Sequence, residues 1–399
     1  MIKLFNSFSI GGLKLTMGIG AIDTIAKEIC TAGLKKPLIV TDRGIEQAGI
    51  LANIQHVLES GGIPYDIYAD VASDPSSVFV EEGLQVLTAS HCDCVIGLGG
   101  GSAMDVAKGI RMMATNEGSI FDYDNSPTGG KTFQNAGKFL ICIPTTSGTG
   151  SEVTPYAIIT NEEEQRKATI SGKAITPDVA ILDPTLTVRL PAHITASTGM
   201  DALAHAIGGY TSGRVLSACG DTSLSDMIAH NAIKMIAENL RICYSCGDDI
   251  TARQKMQVAS MLGAMASNAG SDATHGLGHA LGAVYHIPHG IACAVVLPYV
   301  MKYNLSASPQ RFKHIAVALG ENVNGLSLME AAERSVVAVK QLMKDIGIPN
   351  LSDYIKNTED DRFDLLCNTA ACEKCSLLNA RIITKEISKK LFLEAMKAM

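Results

Sequence analysis

The chain has 399 residues, 47% of them hydrophobic and 18% charged, with a formal net charge of −7. That length suits two domains with ample core, and the acidic balance, with no long block of either sign, excludes a nucleic-acid-binding footprint. No apolar run approaches the length of a membrane span; Ile291–Met301 comes nearest, but it is short and broken by Pro298.

The segment Met1-Ile2-Lys3-Leu4-Phe5-Asn6 carries no signal-peptide core, so a cytoplasmic protein is expected. Eleven cysteines then read as reduced, mostly buried thiols. The two Cys-x-x-Cys pairs, Cys243–Cys246 and Cys372–Cys375, read as unrelated thiols, with a shared structural zinc site as the alternative.

Along the chain, Pro37–Thr41, Tyr65–Asp70, Cys94–Leu98 and Phe139–Ile143 are short apolar runs that read as strands. Helical patterns fall between them at Ile45–Glu59, Val78–Ser90 and Ala103–Ala114, the last with Ser102 as its candidate N-cap. This alternation implies a parallel sheet covered on both faces. After about Thr187, Ala-, Met- and Leu-rich helical segments take over: Thr198–Tyr210, Ser223–Leu240, Thr251–Asn268, Ser327–Lys344 and Thr384–Met399. The expected fold is an N-terminal α/β parallel-sheet domain, residues 1–187, followed by a C-terminal all-helical domain, residues 188–399.

Three stretches carry chemistry. Ile96-Gly97-Leu98-Gly99-Gly100-Gly101-Ser102 joins the third strand to a helix. Glycines let a backbone approach a phosphate, and a helix N-terminus favours its charge; a purely structural tight turn has the same composition. The run is neither a strict Gly-x-Gly-x-x-Gly nor a Walker A sequence. Asp42 stands where the first strand ends; a carboxylate there suits ribose hydroxyls or a helix N-cap. It precedes the glycine turn, so a dinucleotide fold would need unusual strand wiring. Pro144-Thr145-Thr146-Ser147-Gly148-Thr149-Gly150-Ser151-Glu152 follows the fourth strand and suits phosphate or amide recognition, or is an ordinary polar loop.

The histidines are more telling. His275, His279, His286 and His289 crowd one window of a chain that has ten, and Asp201 and His205 stand four apart upstream. Residues at i and i+4 share a helix face. One carboxylate and several imidazoles are donors for a divalent metal such as zinc or iron. His286 reads as an exposed neighbour, and His56, His91, His193, His230 and His314 as structural.

Taken together, Gly99-Gly100-Gly101-Ser102-Ala103-Met104-Asp105-Val106-Ala107-Lys108, the Pro144–Glu152 loop, Asp201-Ala202-Leu203-Ala204-His205, and His275 with His279 and Pro288-His289-Gly290 resemble the iron-containing (group III) alcohol dehydrogenase family from about Phe8 onward. The resemblance implies a dinucleotide-binding α/β domain and a helical metal-binding domain. It implies Asp201, His205, His275 and His289 as ligands of Fe²⁺, with Zn²⁺ possible. His279 would be a catalytic proton relay beside the metal. NAD would be held by Asp42, Asp74, the Gly99–Ser102 turn, Thr145, Thr146, Thr149 and Lys167. The implied reaction is hydride transfer between NAD(H) and a small primary alcohol or aldehyde in a homo-oligomer, without nucleic acid or membrane partners. A glycerol-dehydrogenase-like zinc enzyme and a non-catalytic scaffold are the alternatives.

Three departures bear on the pocket. Members of the family commonly carry Glu where Gly208 stands, and Asn where Asp74 stands. Asp272 occupies a stretch that is often glycine-rich or apolar; it would tune substrate choice or cap the helix carrying His275.

Overall fold

The computed structural model describes residues 4–10, 12–125, 129–164, 166–213 and 224–397. It divides into two compact units, Met1–Thr146 with Ser151–Arg189, and Ser147–Gly150 with Leu190–Met399. The chain thus passes between units at Arg189–Leu190. Four residues of the Pro144 loop also group with the helical unit, a grouping that reading the chain in order does not foresee.

The first unit holds β1 (Leu4–Ile10), β2 (Leu13–Ile19), β3 (Pro37–Val40), β4 (Asp66–Tyr68), β5 (Cys94–Gly99), β6 (Phe139–Pro144), β7 (Tyr156–Asn161), β8 (Arg166–Ser171) and β9 (Val179–Leu182). The main sheet runs β1-β2-β9-β6-β5-β3-β4. Every neighbouring pair is parallel except the β1–β2 hairpin at one edge. β7 and β8 form a separate antiparallel hairpin. The central strands β3, β5 and β9 are buried along their whole length, which is why they read as unbroken apolar runs rather than alternating ones.

Alternate residues of one strand enter opposite cores. Leu38 and Val40 pack with Val80, Val106 and Ile110 on one face, while Ile39 packs with Ile25, Ile54 and Leu58 on the other. The helices supplying those faces are α1 (Ile25–Thr31), α2 (Arg43–Gln47), α3 (Ile50–Ser60), α4 (Ser77–Ala89) and α5 (Gly101–Met113).

Two expected elements need correction. The helix expected over Ile45–Glu59 is two helices, α2 and α3, because Gly49 between them is left-handed at φ 74°, a conformation that ends a helix at little cost only in glycine. Ser102 does not cap α5: the cap position is Gly100, and no side chain caps the helix. The strands β1, β2, β7 and β8 are half-polar hairpins without a continuous apolar run, and β9, although apolar throughout, is not among the expected strands.

The second unit contains α6 (Ala192–Thr211), α7 (Leu224–Ser245), α8 (Ile250–Ser267), α9 (Ala273–Tyr285), α10 (His289–Asn304), α11 (Pro309–Ala318), α12 (Leu328–Asp345), α13 (Asp361–Cys372), α14 (Lys374–Leu377) and α15 (Lys385–Ala395), with no strand among the described residues. Ser223, expected in a helix, lies outside the described residues. One apolar cluster joins these helices, including Met200 and Leu203 of α6, Ile233 and Ile236 of α7, and Leu277 and Leu281 of α9. Contrary to the sequence reading, His289–Ala307 is long and apolar enough to cross a membrane by length and composition. Its most apolar window is 67% buried inside the structure, so a core helix accounts for that composition.

Candidate metal centre and cofactor turn

β5 ends at Gly99, whose φ is 147°. A Cβ there would lie 2.9 Å from Ala103 Cβ and 3.4 Å from Asp42 Oδ2, so conformation and crowding both call for glycine. α5 begins at Gly101 without a side-chain cap, so no side chain satisfies its first-turn N–H groups. The end of β6 lies alongside: Thr145 N donates to Gly99 O at 3.0 Å, and the buried Thr145 hydroxyl has no hydrogen-bond partner. Gly100 faces Thr146, whose Oγ1 would be 3.7 Å from an added Cβ. Thr149 belongs to the helical unit.

Asp42 does cap a helix, since its Oδ1 accepts from Ile45 N at 3.0 Å. Its second oxygen stands beside Gly99, so capping leaves that oxygen facing the turn. Asp74 and Lys167, expected separately, form an ion pair with each other. Asp74 has a left-handed φ of 53°, and its carbonyl accepts from Thr160 Oγ1 at 3.2 Å, so the β7–β8 hairpin secures this unfavourable conformation.

Asp105 and Lys108 of the glycine-rich run turn inward. The fully buried Lys108 Nζ donates to Tyr156 O at 2.7 Å and Ser151 Oγ at 2.8 Å. Asp105 accepts from Ser151 Oγ at 2.6 Å and Ile158 N at 3.0 Å. Burial raises the Asp105 carboxyl and lowers the Lys108 ammonium from their usual ranges, while each opposes that shift in the other. These residues fasten α5 to β7.

In the helical unit, α6 supplies Asp201 and His205, α9 supplies His275 and His279, and α10 supplies His289. Three imidazoles converge on one oxygen. Asp201 Oδ1 is 3.4 Å from His289 Nε2, 3.6 Å from His275 Nε2 and 3.9 Å from His205 Nδ1. The rings of His205 and His275 stack with centroids 4.3 Å apart.

Asp201 Oδ1, His205 Nδ1 and both ring nitrogens of His275 are buried without a hydrogen-bond partner. Each such atom costs about 1–3 kcal/mol, and one cation among them would satisfy several together. The nitrogen and oxygen donors fit a divalent transition metal. Burial pushes His205 down to about 4 and also lowers His275, so both imidazoles are neutral near pH 7, the form that ligates. Burial works to raise Asp201, but its interactions with His205, His289 and His275 outweigh it and hold the carboxyl well below its usual range.

Sequence reading missed Cys293. Asp201, His275, His289 and Cys293 place their donor atoms within 4.8 Å of one another, the one such group among the described residues. His205 is outside that tightest set, and the two Cys-x-x-Cys pairs form no joint metal site there. The available signal was spacing, since Cys293 is four residues beyond His289. His279 stands aside, its ring 5.3 Å from that of His289 and 6.3 Å from that of His275. Its Nδ1 is 3.4 Å from Glu373 Oε2, a partner too distant in sequence for any spacing to reveal.

The space beside Gly208 is filled from another helix. A Cβ on Gly208 would lie 3.3 Å from the Asp272 carboxyl. Asp272 does cap α9, accepting from Thr274 N at 2.9 Å, and burial pushes its carboxyl up to about 6. His286 is exposed and closes α9 in the left-handed region, as its end cap.

The family described as Iron-containing alcohol dehydrogenase matches residues 13–184, and its C-terminal counterpart, Fe-containing alcohol dehydrogenase family, C-terminal, matches residues 195–396. The chain is 38% identical over 370 residues to the NAD-dependent methanol dehydrogenase of Bacillus methanolicus, covering 92% of this chain and 94% of that protein. It is 39% identical over 335 residues to the 1,3-propanediol dehydrogenase of Klebsiella pneumoniae, covering 83% and 84%. A crystal structure of 1,3-propanediol oxidoreductase superposes with a TM-score of 0.90 at 36% identity, covering 99% of this chain and all of that one.

Proposed function

The chain belongs to the iron-containing alcohol dehydrogenase family, and we propose that it works as an NAD-dependent oxidoreductase on a small polar primary alcohol and its aldehyde. The similarity to enzymes named for methanol and 1,3-propanediol supports the substrate class. When bound, a divalent ion supplies Lewis acidity to the substrate oxygen, and NAD accepts or returns the hydride.

Asp201, His205, His275 and His289 are the proposed metal ligands. The observation that carries this reading is the meeting of three imidazoles at one oxygen of a buried carboxylate, with Asp201 Oδ1, His205 Nδ1 and both nitrogens of His275 otherwise unpartnered. His279 is the proposed catalytic proton carrier: its ring lies next to that of His289, and Glu373 orients it through Nδ1, leaving Nε2 to exchange a proton with the substrate oxygen or water.

On the cofactor side, the N–H groups at Gly99–Ser102 suit the pyrophosphate. The outward oxygen of Asp42 suits the adenosine ribose. Asp74, Lys167, Thr145, Thr146 and Thr149 supply the remaining polar contacts. The test is anaerobic oxidation of NADH with a panel of short aldehydes, by protein stripped of metal and reloaded with Fe²⁺. Turnover restored by Fe²⁺ and absent without it is the expected result. Full activity in metal-free protein would overturn the proposal.

A further inference from the structure

Beyond the four proposed ligands, the first turns of α10 place a sulfur at the same centre. Cys293 follows His289 by four residues and therefore shares its helix face. It is fully buried, and its Sγ is 3.8 Å from His289 Nε2. Its sulfur belongs with Asp201, His275 and His289 to the donor group lying within 4.8 Å.

Two features bear on the position of this sulfur. On α9, Gly278 lies between His275 and His279, and a Cβ there would come within 2.7 Å of the Cys293 sulfur. The same Cβ would lie 3.3 Å from the Cys293 backbone nitrogen, so glycine lets α10 approach α9 closely with the thiol in place. Asp201 Oδ1 and both nitrogens of His275, in the same group, are buried and unpartnered. An ion that satisfies them has the sulfur within the same cluster.

We propose that Cys293 is a further ligand of the metal, so that the centre offers nitrogen, oxygen and sulfur together. A thiolate is a softer donor than imidazole or carboxylate and strengthens the hold on a divalent transition metal. On binding, the S–H bond is exchanged for a sulfur–metal bond and the proton leaves to water; no electrons move. This inference rests on the metal centre proposed above.

The test uses full-length protein, stripped and reloaded anaerobically with one equivalent of Zn²⁺ or Co²⁺. Zinc-edge X-ray absorption should show one sulfur at about 2.3 Å beside nitrogen and oxygen, and the Co²⁺ form should show a thiolate charge-transfer band in the near ultraviolet. Cys293→Ser and Cys293→Ala should each lose both signals while still binding one ion. In each variant the ion should bind about tenfold more weakly than in wild type, the scale on which changes around a metal alter affinity. A wild-type shell of nitrogen and oxygen alone, around one bound ion, overturns this inference and leaves the centre intact. A sulfur signal that survives in both variants also overturns it. Failure to bind any ion overturns the inference and the proposed ligand set together.

Discussion

The glycine turn and the histidine cluster solve the problem of holding a charged ligand in opposite ways. The turn works with backbone: glycines, a bare helix start, and the ends of strands buried on both faces. Most of its side chains already have partners, as Asp42 has Ile45 N and Asp74 has Lys167. The cluster works with side chains from three helices, and Asp201 Oδ1, His205 Nδ1 and both ring nitrogens of His275 have no hydrogen bonds. A backbone site is complete when its unit folds. A side-chain cluster of this kind is complete only when occupied, so substitutions there should reach further.

The largest expected effect tests that contrast directly. His275→Ala should lower turnover by about a thousandfold, corresponding to several kcal/mol of lost electrophilic stabilisation. Metal content should fall with it, while NADH binding, measured by fluorescence titration, stays close to wild type. Equal loss of NADH binding would show that the two sites are not separable. His279→Ala comes next. It should cut turnover by about a hundredfold with one ion still bound by elemental analysis. Loss of the ion in that variant would move His279 into the ligand set.

Asp272→Asn probes the support under the cluster rather than its donors. The Asp272 carboxyl sits at about 6 in the folded chain, against 3.8 for an ordinary aspartate. Folding therefore favours its protonated form: the stability is full below about pH 4 and declines as pH rises through 6. Asparagine keeps the cap and cannot ionise. Urea unfolding of metal-free protein should show the variant gaining on wild type between pH 5 and pH 7, by roughly 1–3 kcal/mol. An equal difference at both values would mean that the Asp272 charge is compensated.

The smallest effect belongs to the turn. Asp42→Gly should weaken NADH and favour NADPH by about tenfold, since a 2′-phosphate would no longer meet a like charge. A melting point lowered through the lost cap, with coenzyme preference unchanged, would leave Asp42 as a cap alone.

What the sequence determined is local. Runs such as Cys94–Leu98 and Phe139–Ile143 had to be strands because a buried parallel sheet needs continuous apolar residues. The spacing of Asp201 with His205, and of His275 with His279, follows from the helix period and is legible without coordinates. So is the glycine turn, because strand, glycines and helix are adjacent in the chain. Only the tertiary structure decided what lies between distant elements. Strand β9 enters the sheet between β2 and β6, where no local pattern directs it. Asp272 fills the space beside Gly208, and Glu373 meets His279, through packing of helices whose separation in sequence carries no period. Cys293 shows the division most clearly. Its spacing from His289 was readable, but its place among the donors depends on Gly278 of a neighbouring helix leaving room for sulfur. Spacing specifies which face of a helix a residue occupies; packing alone specifies what that face meets.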